Sequence, residues 1–174
     1  MRWKRLLAIA LAPYTVWLVV AYQYHFLDGV NLVFHEAGHL FLGFGGRTLH
    51  VLGGTFGQLF FPLLLTLRFR ARGESFEAGV CALWLGESLM NVAVYMADAR
   101  AQALPLVGGE IHDWNWLLGH AGLLDQCDLL GRLLHLAASA VVLLAWLALA
   151  RAAFGPSSGR VIAPRQPLFR RSLD

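Results

Sequence analysis

Val30-Asn31-Leu32-Val33-Phe34-His35-Glu36-Ala37-Gly38-His39-Leu40-Phe41-Leu42-Gly43-Phe44 is an apolar run with His35-Glu36-Ala37-Gly38-His39 at its centre. On a helix, histidines four residues apart point the same way. Both imidazoles can then hold one zinc ion while the intervening glutamate acts on a water. The residue types suit that task. Imidazole binds zinc without adding charge, and a carboxylate can take a proton from water and hand it to a leaving group. Two histidines and a glutamate at mid-depth of an apolar helix are costly, which marks a working site. Asp28 is placed to cap the start of this helix and Gly45-Gly46 to end it.

Outward from this run the chain reads as a membrane protein. Of its 174 residues, 57% are hydrophobic and 14% charged, against roughly a quarter charged in soluble domains. Further apolar runs cover residues 6–22, 76–97 and 133–150. Each is long enough for a transmembrane helix. The first follows Arg2, Lys4 and Arg5 and carries Trp17, Tyr22 and Tyr24 toward its far end, which fits a retained signal-anchor helix rather than a cleaved leader. Residues 1–154 are read as a single integral membrane domain. Residues 155–174 are rich in Pro, Gly, Ser and Arg and are expected to form a disordered basic tail.

The region 47–67 reads differently. Thr48, His50, Val51 and Leu52 suggest a strand, Gly53-Gly54 and Gly57 suggest turns, and Pro62 interrupts the apolar stretch that follows. The expectation is a re-entrant β-like hairpin, tolerated only where buried in protein or lining a wet cavity. Charge supports that reading. Basic residues cluster at Arg2/Lys4/Arg5, Arg68/Arg70/Arg72 and Arg160/Arg165/Arg170/Arg171. Five simple spans would put the last two clusters outside, against the positive-inside rule. Four spans plus a hairpin put every cluster inside and the acidic loop 98–128 outside. The expected architecture is therefore all-α, with about four transmembrane helices, the hairpin, and an interfacial amphipathic helix in the Trp-rich loop. It is multi-pass, with both termini cytoplasmic, as in a bacterial inner membrane. Nothing in the basic clusters suggests nucleic acid, and oligomerisation stays open.

Zinc needs a third protein ligand. Glu87, Asn91, Tyr95 and Asp98 follow at spacings that place them on one helical face. At 1.5 Å per residue, His35 and His39 lie ~12 and ~18 Å from the outer end of their helix, and Asn91 and Glu87 ~14 and ~20 Å. Depth thus selects Glu87 as third ligand, with Asn91 beside it. Asn91, though a weak zinc ligand, stays an alternative, and Asp98, His112 and Asp113 are rivals that could reach down only if the outer loop folds into the bundle. Asn91, Asp98, His112, Asp113 and His50 are also candidates to support the ligands or touch substrate.

With these residues, the chain resembles the intramembrane metalloproteases of the site-2 protease type. The resemblance rests on His35-Glu36-Ala37-Gly38-His39 in a span and on the Gly-rich segment from Gly43 to Gly57, similar to the membrane-associated hairpin after the motif in that family. It implies zinc held by His35 and His39, Glu36 as catalytic base, and hydrolysis of a peptide bond in a membrane-protein or membrane-embedded peptide substrate. The family's third ligand is an aspartate in a later span, within an Asn-Pro-Asp-Gly or Leu-Asp-Gly pattern. Here Leu27-Asp28-Gly29 precedes the motif and no later span carries one, so the chain is read as a divergent, minimal relative. The motif is also similar to that of membrane-anchored ATP-dependent proteases, but no phosphate-binding Gly-Lys loop is present. Two further readings are a membrane zinc hydrolase acting on a lipid or amide, and a non-enzymatic metal- or haem-binding subunit of a membrane complex.

Overall fold

The computed structural model describes residues 2–107 and 111–155. Six α-helices follow in order: α1 (Arg2–Ala21), α2 (Phe26–Leu42), α3 (Arg47–Ala71), α4 (Ser75–Ala97), α5 (Asp113–His120) and α6 (Cys127–Phe154). Four helical segments are long and apolar enough to cross a bilayer: α1, α3, α4 and Leu124–Phe154, which contains α6. The tail expected at 155–174 lies, beyond Gly155, outside the described residues.

The α4–α6 pair forms the spine. Cβ atoms at Gly79, Gly86 and Gly131 would lie 2.7 Å from Leu149, 2.6 Å from Val142 and 2.7 Å from Ala93 and Ala97 respectively. Small residues thus let the two helices pack backbone to backbone, the usual solution where lipid supplies no hydrophobic drive. α1 lies on this pair. Ala8 joins Phe76, Leu83 and Leu149, and Leu18 joins Met90, Ala138 and Val142.

The ends are fixed by contacts. The Trp3 ring packs edge-on against Phe76, Lys4 Nζ meets Glu77 Oε1 at 2.5 Å, and Arg5 Nε donates to the Ala153 carbonyl. The start of α1, the start of α4 and the end of α6 therefore share one end of the molecule. Arg68, Arg70 and Arg72, just before α4, belong to that end with Arg2, Lys4, Arg5 and Arg151. Asp98, Asp125 and Asp128 lie at the other, the latter two near Arg100.

Among the described residues there is no strand, and the expected β-like hairpin at residues 47–67 is instead the greater part of α3. Its glycines are contacts rather than turns. A Cβ at Gly38 would sit 2.0 Å from the Gly53 carbonyl oxygen, and one at Gly57 would sit 2.4 Å from the Phe34 carbonyl oxygen. Glycine favours helix crossings in a membrane as readily as it favours turns in water. Pro62 is accommodated too. It has no N–H for the Gln58 carbonyl, and Ser88 Oγ faces that carbonyl at 3.5 Å.

Four helices are long and apolar enough to cross, and the shorter element beside them is α2 rather than residues 47–67. α2, with 17 residues, starts beside the second half of α1, where His25 packs on Tyr14 and Trp17. It then runs antiparallel to the first half of α3, with Phe34 on Phe61 and His39 on His50. Gly46, at φ 87°, turns the chain between them. Asp28 caps α2 from its third position, in a capping box with His25, rather than from the position before the helix. It sits in the first turn and accepts from the His25 backbone N–H at 2.7 Å.

Candidate metal centre

His35 and His39 project from α2 toward Asp113, the first residue of α5. Asp113 Oδ2 lies 2.9 Å from His35 Nε2 and 3.1 Å from His39 Nε2. His35 and Asp113 are buried and His39 is half-buried. The other nitrogen of each ring is committed. His39 Nδ1 lies 2.7 Å from the His50 carbonyl oxygen, which can only accept, so Nδ1 carries the proton. His35 Nδ1 lies 3.3 Å from Gln58 Oε1. The Gln58 amide is oriented by its own donations, to Ser88 O at 3.2 Å and Asn91 Oδ1 at 2.8 Å. Its oxygen must therefore face His35, which donates from Nδ1. Both Nε2 lone pairs then converge on a carboxylate oxygen. Three acceptors meet at one point. Such a point is balanced either by a proton on one ring, as in a His–Asp pair, or by a metal ion that all three groups could hold. A ring held through Nδ1 and liganding through Nε2 is also how metal-bound histidines are usually oriented.

α5 delivers Asp113 from the acidic loop. The Asp113 backbone N–H donates to Tyr95 Oη at 3.1 Å. His112 Nδ1 accepts from the Asn115 N–H as the helix cap, and its ring stacks on Tyr95 with centroids 4.1 Å apart. Asn115 Nδ2 donates to the Ala99 carbonyl at 2.8 Å. Asp98 accepts from the Ala103 and Leu104 N–H groups and faces His112 Nε2 at 3.4 Å. Burial alone would raise the Asp113 carboxyl, but when the rings are protonated their Nε2–H groups donate to it, outweigh burial and hold it below the usual carboxylate range. Burial pushes His112 below the ordinary imidazole value against the pull of Asp98, consistent with its lone-pair cap of α5.

The donor set fits zinc. Ligand atoms ~2.0–2.2 Å from a tetrahedral ion stand about 3.4 Å apart, so the 2.9 and 3.1 Å separations need only small outward shifts. Space is left beside the nitrogens by Gly54 of α3. A Cβ there would lie 2.4 Å from His35 Nε2 and 2.6 Å from His39 Nε2. No family model, curated protein or solved structure matches the chain. Any functional reading therefore rests on this geometry and on the motif.

Glu87 is not brought to the two histidines. It faces Asn31, a turn earlier on α2, with Asn31 Nδ2 donating to Glu87 Oε2 at 3.0 Å, and groups with His25 and Asp28. Glu36 lines a cavity of about 570 Å³ together with His35, His39, His50, Asn91 and Asp113. Asn91 does not reach toward the ligand atoms but links Gln58 to Asp28, donating to Asp28 Oδ1 at 2.7 Å. His50 serves through its backbone carbonyl. Its ring Nδ1 faces the His39 carbonyl at 3.2 Å. His112 and Asp98 shape the loop that carries Asp113. Sequence reasoning missed Gln58 and Gly54. A polar side chain at position 58, four residues before a proline in an apolar stretch, was the available signal for the first.

Proposed function

We propose that the chain is an integral membrane zinc hydrolase that cleaves a peptide bond by water attack, its basic end facing the cytoplasm. One observation supports this most: the His35 and His39 lone pairs and the Asp113 carboxylate converge, with both Nδ1 protons already used. His35, His39 and Asp113 would hold the ion, replacing the Glu87 expected from depth. Zinc there would polarise the scissile carbonyl and acidify the attacking water. Glu36, on the same cavity wall, takes the water proton and returns it to the leaving amine. Gln58 and the His50 carbonyl keep the rings turned, and the apolar wall of Leu32, Val51, Val94 and Leu106 suits a membrane-embedded substrate.

A lipid amide or ester is a second reading, favoured by one observation. Among the described residues no strand borders the cavity, so no edge is offered to an extended peptide. The test uses the chain in vesicles with a transmembrane peptide and, separately, an N-acyl lipid. Glu36→Gln is expected to keep wild-type zinc content and to lose roughly 10²–10⁴ in hydrolysis rate. An unchanged rate contradicts the proposal, and cleavage of the lipid alone selects the second reading.

A further inference from the structure

We infer that His25, Asp28 and Glu87 form a second divalent-cation site that ties the start of α2 to the middle of α4. It stands independently of the hydrolase reading. The three side chains offer ligand atoms all within 4.8 Å of one another. Asp28 and Glu87 are 1% and 0% exposed. Asp28 is well supplied, accepting from the Tyr22 hydroxyl, the His25 N–H and Asn91 Nδ2. Glu87 is not. Trp84 Nε1 donates to Asn31 Oδ1, which turns the Asn31 amide so that its Nδ2 serves Glu87 Oε2. Glu87 Oε1 is buried with no partner and faces His25 Nε2 at 3.8 Å.

A buried carboxylate oxygen without a partner is costly, and a second carboxylate beside it adds repulsion. One imidazolium at His25 would balance only one of the two charges. A divalent cation balances both, leaves His25 neutral as a ligand, and gives Glu87 Oε1 its missing contact. One imidazole and two carboxylates suit a first-row ion of the zinc or manganese class rather than a thiolate-seeking one. The His25 ring is also held in place, packed edge-on against Trp17, with Nδ1 2.6 Å from Asp28 Oδ2 and 3.1 Å from the Gln23 carbonyl and Nε2 2.7 Å from Tyr14 Oη. The competing occupant is a proton on Glu87.

The test is metal content of the full chain in detergent, stripped with chelator, loaded with Zn²⁺ and desalted. His39→Ala/Asp113→Ala removes the first centre and leaves this one intact. That chain is expected to retain about one zinc, and adding Glu87→Gln is expected to lower it at least tenfold. No retained zinc overturns the inference, as does zinc that Glu87→Gln leaves unchanged. Circular dichroism shows whether Glu87→Gln folds. If it does not, X-ray absorption on the His39→Ala/Asp113→Ala chain decides. A shell with one imidazole and carboxylate oxygens supports the site, and a shell without imidazole, as from nonspecific carboxylate binding, overturns it.

Discussion

Gly54→Ala is the most informative single change, because its effect can be worked out from distances. The added Cβ would meet His35 Nε2 at 2.4 Å and His39 Nε2 at 2.6 Å, whereas ordinary contact begins at 3.4 Å. Each ring must retreat by about 1 Å, several times the ~0.2 Å tolerance of a metal–ligand bond. The rings cannot swing freely, because Nδ1 of each is held by Gln58 or by the His50 carbonyl. The methyl therefore either displaces the ligands or occupies space the ion needs. No backbone atom is among its closest neighbours, so the helix pair should survive. The expected result is a loss of zinc affinity of at least 10–100-fold, the scale seen when ligand orientation is disturbed, measured by competition with a chromophoric chelator. Apo-protein helicity and unfolding temperature should change little. Wild-type affinity in Gly54→Ala would refute the placement of the ion between the two Nε2 atoms.

Gly38→Ala should behave in the opposite way. Its Cβ would lie 2.0 Å from the Gly53 carbonyl oxygen, a backbone atom that cannot step aside, so a destabilisation of about 1–3 kcal/mol or more is expected from overpacking. Unfolding of the metal-free chain in denaturant checks it. Gln58→Leu should leave the three ligands in place yet lower zinc affinity by about 10–100-fold, since His35 Nδ1 loses its acceptor; calorimetric titration with Zn²⁺ reads this directly.

α1, α4 and α6 could be read from the sequence because long apolar runs bounded by basic or aromatic residues have few other solutions. The polar stripe of α4 was legible for a similar reason: helical periodicity alone puts Glu87, Asn91 and Tyr95 on one face. They do all turn toward polar partners, on Asn31, Gln58 and Asp113. α3 was not legible. Thr48 to Gly57 has the local composition of a strand and turns, and only the crossing at Gly38 and Gly53 makes those glycines helical. The structure does not bring Glu87 to the two histidines, and the reason is geometric. Depth arithmetic starts α2 at the outer end, whereas His25, just before α2, packs on Tyr14 and Trp17 in the second half of α1. Glu87 consequently meets Asn31 rather than His35. In the sequence Asp113 is only a rival, because nothing in a loop's periodicity tells that its helix folds inward. The partners that bring it there, Tyr95 and the His112 cap, are tertiary contacts.

The central claim is that His35, His39 and Asp113 hold one metal ion. An anomalous difference map collected at the zinc edge from zinc-loaded protein tests it most directly. A peak ~2.0–2.2 Å from His35 Nε2, His39 Nε2 and Asp113 Oδ2 is expected. An empty position there, or a peak that joins the two histidines to Glu87 instead of Asp113, contradicts it.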